Sequence, residues 1–129
     1  MRALLLDTHA FLWWGLGDSR LPERLRSEID TSHDVRVSAA TAWEIHTKYR
    51  LGKMPEIAPL LVVELTELLA AAGFTQLPVS FADGERAGSL PGTHKDPFDR
   101  MLAAQALNHR LALVSNDTAL DVFGIVRVW

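Results

Sequence analysis

The sequence contains no cysteine, which excludes disulfides and thiolate-held zinc and is consistent with a reducing compartment. Long apolar runs are missing too. The stretch Met1-Arg2-Ala3-Leu4-Leu5-Leu6 meets Asp7 at once, too short for the core of a signal peptide, and no later run reaches transmembrane length. The expected location is cytoplasmic, with no membrane partner. Positive charge is not in excess: 13 Lys and Arg stand against 16 Asp and Glu, for a formal net charge of −3. That argues against broad electrostatic binding to nucleic acid, so any such contact must be local, through a basic rim or a bound cation. There is no linker, repeat or low-complexity segment, no Gly-rich phosphate loop and no Ser–His–acid arrangement. The five histidines (His9, His33, His46, His94, His109) show no metal-ligand spacing and read as incidental.

What is present is an ordinary globular composition, 48% hydrophobic and 22% charged over 129 residues. This suffices for one domain, 1–129, with a proper core. Ala3 to Leu6 is a short continuous apolar run, the mark of a strand buried on both faces. Thr8 to Trp14 reads as a short helix stopped by Gly15 and Gly17, and Glu23 to Ile29 as an amphipathic one. Val35 to Val37 is a second strand. Ser38 suits the N-cap of a helix over 39–51, closed by Gly52. Leu60 to Ala72 is predicted as a helix with more apolar residues than one core-facing stripe requires, so part of it is expected to face a partner chain. The Phe11 to Trp14 segment is the other candidate for such a contact. Phe74 to Val79 is a third strand, placed near an edge by Pro78, and Phe81 to Leu90 is a further helix. Leu111 to Val114 is another buried strand, followed by a helical turn over Thr118 to Val122 and a last strand, Ile125 to Val128.

Strands and helices alternate and the strands are apolar, which predicts an α/β fold: a mainly parallel sheet covered by helices on both faces. Ligands in such sheets bind outside the carboxyl ends of the strands. That rule sorts the acids. Asp7 ends the first strand and Asp117 lies just past another. Glu44 follows the second strand, about a turn and a half into its helix. Asp99 lies in the first turn of a helix whose start signal is unusually complete: Asp96 as N-cap, Pro97 at the first helical position, Asp99 three residues after the cap. Each acid also has a plain structural reading. Asp7, Asp96 and Asp117 can cap helices, Asp99 can serve the helix dipole, and Glu44 can form a solvated i, i+4 pair with Lys48. These readings do not explain why four acids from four segments end up at the same edge of the sheet.

Clustered carboxylates repel unless a cation sits among them, and hard oxygen ligands select Mg²⁺ or Mn²⁺. Such ions act on phosphates, activating water and neutralising charge on a phosphodiester. Rival readings from other classes are a receiver-like phosphoacceptor, a phosphohydrolase of small phosphates and a plain binding module. The first wants an acidic pair after the first strand and a late Lys; the second wants a DxD there. Asp7-Thr8-His9 supplies neither pair.

Four segments, LLLDTHAFLWW from Leu4, SAATAWEIHTKYRLGK from Ser38, HKDPFDRMLAAQA from His94 and LVSND from Leu113, resemble PIN domains. The likeness is specifically to VapC-like toxins of type II toxin–antitoxin pairs, and it covers essentially the whole chain. The resemblance implies a metal-dependent ribonuclease with an α/β/α sandwich and Mg²⁺ or Mn²⁺ held by Asp7, Glu44, Asp99 and Asp117. Asp96 is an extra acid of the DPFDR subgroup: a cap, a partner of a ligand, or a ligand itself. Homodimers and a cognate antitoxin that blocks the site are also implied. Lys48, Arg50, Lys53, Lys95 and Arg100 offer a basic rim for RNA, and of these Lys48 and Arg100 stand nearest the acids, with Arg100 expected to take the acids as its neighbours.

Overall fold

The computed structural model describes residues 2–129. Five strands, β1 (Leu4–Leu6), β2 (Val35–Ser38), β3 (Thr75–Leu77), β4 (Ala112–Val114) and β5 (Arg127–Val128), form one sheet in the order β3-β2-β1-β4-β5. Every pairing is parallel. The helices are α1 (Thr8–Leu16), α2 (Glu23–Thr31), α3 (Ala39–Arg50), α4 (Leu65–Ala72), α5 (Phe81–Ser89) and α6 (Pro97–His109), with 3-10 stretches over Pro55–Val62 and Thr118–Phe123.

Side chains alternate across the sheet, and the alternation builds two cores. Leu4, Leu6, Val35, Val37, Ala112 and Val114 face one way, against Phe11, Ile29, Ile45 and Leu69. Leu5 and Leu113 face the other, against Leu102, Ala103, Ala106 and Phe123. Both sheet faces are therefore covered, as the continuous apolar strands require. Among the described residues no helix is long and apolar enough to cross a membrane.

Three local expectations need correction. Helix α1 does not stop at Gly15 but runs to Leu16, and Gly17 ends it in the left-handed region (φ 64°). Gly15 is small for packing: a Cβ there would lie 2.8 Å from Leu60 Cδ2. The predicted helix Leu60 to Ala72 is two pieces, because Val63 is extended (φ −121°, ψ 164°) between the 3-10 stretch and α4. The β-branched pair Val62-Val63 favours that break. Phe11, Leu12 and Trp13 belong to the core instead of offering a partner surface. Exposed apolar side chains lie elsewhere, at Trp43, Val62 and Phe81.

Strand order fixes where a site can form. The chain leaves β1 toward β2 on one side, and later returns through α5 and α6 to β4 on the other. The connections thus diverge between β1 and β4, and a crevice opens at their carboxyl ends. Asp7 follows β1 there, with its N–H bonded to the Val114 carbonyl of β4 at 3.0 Å.

Candidate metal centre

Asp7, Glu44, Asp96, Asp99 and Asp117 line one cavity of about 100 Å³ at this crevice, together with Thr8, His9, Lys48 and Asn116. A single water requires roughly 10–15 Å³ by the same measure, so an ion with several waters fits. The acids arrive by different local routes. Asp7 is the N-cap of α1, accepting the Ala10 N–H at 2.7 Å. Asp117 caps the second 3-10 stretch through the Ala119 N–H at 3.0 Å. Asp96 is the N-cap of α6 and its Oδ1 accepts from both Phe98 and Asp99 N–H, at 2.9 and 3.0 Å. Capping and convergence are compatible: the caps fix where the carboxylates stand.

Glu44 is 4% exposed, so its pair with Lys48 is not the solvated one expected. Its Oε1 accepts from the Thr8 hydroxyl and its Oε2 from Lys48 Nζ, each at 2.5 Å. Thr8 also bonds to Thr41 on α3. Burial alone would pull the Lys48 ammonium pKa down. Glu44, with Asp96 and Asp99 behind it, more than offsets this and raises it. Arg100 does not meet the acids. Its guanidinium donates to the carbonyls of Ala87 (2.9 Å), His94 (3.0 Å) and Leu90, binding the end of α5 and the following loop to α6. An Arg has more donors than one carboxylate can use, and here three backbone carbonyls take one from each guanidinium nitrogen. It is a clamp on the loop, not a free cation at the rim. Arg50, Lys53 and Lys95 are exposed.

The electrostatics are those of a crowded site. Burial pushes the Asp7 carboxyl up to about 6; the Ser115 hydroxyl and the Ala10 N–H pull against it, and nearby Asp99 adds to the rise. Asp99 is raised as well, first by burial and then by the charges of Asp96 and Glu44, against the bond from His94. Carboxylates displaced upward by burial and by one another are what a bound cation would restore.

Two contributors escaped the sequence reading. Thr8 is buried and orients Glu44, a contact across 36 positions that no local pattern signals. His94, taken as incidental, places Nε2 3.0 Å from Asp99 Oδ2. One ligand atom each of His94, Asp99 and Asp117 lie within 4.8 Å of one another. Its place two residues before the N-cap was the available hint. The donor set as a whole is carboxylate-rich, which suits a hard divalent ion.

A three-layer α/β/α sandwich with acids gathered at the switch point of a parallel sheet defines the class to which this chain is compared. The model of the PIN domain matches residues 4–125, and the chain belongs to the PIN domain family. Ribonuclease VapC22 of Mycobacterium tuberculosis is 28% identical over 122 residues, spanning 93% of this chain and 91% of that one. Among solved structures, FitAcB from Neisseria gonorrhoeae superposes with a TM-score of 0.68 at 21% identity, covering 98% of this chain and 96% of its own. DNA-bound VapBC from Salmonella typhimurium gives 0.68 at 19% identity, with 100% and 98% covered. At these identities the structural likeness speaks to the fold.

Proposed function

We propose that this chain is a Mg²⁺- or Mn²⁺-dependent endoribonuclease, the toxin of a toxin–antitoxin pair, acting in the cytoplasm as a homodimer. The observation that carries this reading is the gathering of Asp7, Glu44, Asp99 and Asp117 around one cavity at the sheet's switch point. Family membership and the ribonuclease relative give the reaction class. The two structures named above, one a DNA-bound VapBC, support an antitoxin partner.

Asp7, Asp99 and Asp117 would hold the ion, with Glu44 beside them and Asp96 setting the start of α6. A bound divalent ion supplies Lewis-acid polarisation of the scissile phosphate and a more acidic water. The protein's own groups do the rest. Thr8 and Lys48 fix the Glu44 carboxylate, and burial of Asp7 keeps bulk water from screening its charge. Lys48, Arg50, Lys53 and Lys95 are the cations available to RNA phosphates beside an otherwise acidic site, and Arg100 acts through the loop it clamps. Exposed Trp43 and Phe81, 66% and 86% accessible, are apolar surface that assembly with a partner would cover.

The test is purified protein incubated with total RNA in Mg²⁺, in Mn²⁺ and in EDTA, with fragment ends mapped. Cleavage at defined sites with either ion and none in EDTA is expected. Cleavage that persists in EDTA, or release of phosphate only from small phosphate esters, overturns the proposal.

A further inference from the structure

We infer that His94 is itself a ligand of the divalent ion, beside Asp99 and Asp117, and that its imidazole shifts the site's preference from Mg²⁺ toward Mn²⁺. The inference rests on the metal reading above and goes beyond it, since the four acids named there include no nitrogen donor.

Distances carry the first part. In an octahedral site with ligands at roughly 2.1 Å, neighbouring donors stand roughly 3.0 Å apart and opposite donors roughly 4.2 Å. His94 Nε2 and Asp99 Oδ2 are 3.0 Å apart, and one ligand atom each of His94, Asp99 and Asp117 lie within 4.8 Å of one another. That spacing is a hydrogen bond without an ion and a pair of adjacent ligands with one. A neutral ring protonated on Nδ1 presents the Nε2 lone pair in the required place.

Anchoring carries the second part. His94 precedes α6 in a connecting segment, yet it is held at both ends. Its carbonyl accepts from Arg100 Nη1 at 3.0 Å. Its ring packs edge-on to Phe123 at 5.9 Å and 89°, and the Arg100 guanidinium lies over that same Phe123 ring at 5.5 Å. The side chain is 21% exposed. Arg100 also ties Ala87 and Leu90 to this arrangement. A solvated histidine needs none of these contacts, whereas a ligand needs its ring fixed before the ion arrives. Mg²⁺ dehydrates reluctantly and prefers oxygen, while imidazole gains more from later first-row ions. Hence the predicted shift in preference.

The probe is Mn²⁺ alone on the full chain, without RNA. Pulsed electron paramagnetic resonance of bound Mn²⁺ is expected to show ¹⁴N modulation from a coordinated imidazole. The modulation should vanish in His94→Ala and in His94→Gln, and persist in His9→Ala, the histidine that lines the cavity. Calorimetric titration should find the Mn²⁺ Kd raised about 10-fold or more in His94→Ala, with Mg²⁺ affected less. Mn²⁺ bound to the wild type without ¹⁴N modulation, or modulation that survives in both His94 variants, overturns the inference and leaves His94 as an orienting partner of Asp99. Failure of Mn²⁺ to bind the wild type at all overturns the metal reading itself. Where a His94 variant does not fold, modulation that persists in His9→Ala supports the inference and modulation that vanishes there overturns it.

Discussion

Asp7 and Asp83 are both buried, 7% and 1% exposed, and their proton affinities move in opposite directions. Burial raises each. For Asp83 that effect is outweighed by donors: Asn108 Nδ2 at 2.9 Å, the Ser80 N–H at 3.1 Å, Gln105 Nε2 at 3.2 Å and His109 hold its pKa at about 2. Asp7 has fewer donors and acidic neighbours, and its pKa rises to about 6. The difference separates a carboxylate whose charge is satisfied by donors from one that burial and acidic neighbours leave uncompensated. Asp83 closes a capping box at the start of α5 and joins α5 to α6. Asp7 also caps a helix, but its surroundings leave it short of compensation until positive charge enters the cavity.

The comparison is broken most forcefully by activity. Asp99→Asn should lower RNA cleavage on the order of 10³-fold, the size of losing a charge-stabilising group at an active site. Asp83→Asn should leave cleavage within a few-fold at temperatures where it is folded. Comparable losses from both, measured as initial rates on one RNA, would dissolve the distinction.

Stability should show the reverse ranking. Asp83→Ala leaves the Asn108 amide and the Ser80 N–H without their acceptor, removes one of the two acceptors of Gln105 Nε2, and should cost about 3 kcal/mol. Urea unfolding would measure it, and a loss below about 0.5 kcal/mol, the range of an ordinary surface substitution, would show the network to be incidental.

The pH dependence has opposite signs for the two groups. Asp7 has a folded pKa above its unfolded value, so the folded state binds the extra proton between about pH 4 and 6. In EDTA, its contribution therefore falls as pH rises through that window, by roughly 3 kcal/mol at most for a rise from 3.8 to about 6. Asp83 has a depressed folded pKa, so its contribution is full above about pH 4 and is lost as pH falls toward 2. Denaturant midpoints against pH should lose the first slope in Asp7→Asn and the second in Asp83→Asn. An unchanged profile in either variant contradicts the assignment of that slope.

The smallest effect expected is at Arg100. Arg100→Lys keeps the charge but cannot hold three carbonyls in a fork, and should lower stability by about 1 kcal/mol. A protease-sensitivity assay should place new cleavage in the 90–95 segment. Unaltered protection would mean that the clamp is not what orders the loop.

Much of this was legible in the residues. The parallel sheet followed from short apolar strands alternating with helices, and the start of α6 from Asp96-Pro97, because both are local patterns of period and capping. The gathering of the acids followed from one rule about strand ends. The missing parts depend on distance in sequence. Thr8 meets Glu44 across 36 positions, and Asp83 meets Asn108 across 25; no spacing within one element encodes either contact. Gly15 resembled a helix stop, but its reason is the Leu60 side chain against it. Arg100 lies one residue from Asp99, so proximity in sequence suggested an ion pair that backbone carbonyls had already replaced. The split at Val62-Val63 was hidden because an apolar run marks burial more reliably than it marks which helix is formed.

The most direct measurement is the melting of three proteins (wild type, Asp7→Asn and Asp83→Asn) near pH 7.5, each in EDTA and in saturating Mn²⁺. If the acids form a site strained for want of a cation, Asp7→Asn melts at or above the wild type in EDTA, since Asn still accepts the Ala10 N–H. Mn²⁺ at 100 times its dissociation constant should then stabilise the wild type by roughly 2.7 kcal/mol and the Asp7 variant far less. Asp83→Asn should melt below the wild type in both buffers and gain from Mn²⁺ as the wild type does. The contradicting result is an Asp7→Asn protein that melts below the wild type by the same margin in both buffers, with a wild type that Mn²⁺ does not move. Asp7 would then be a helix cap like any other.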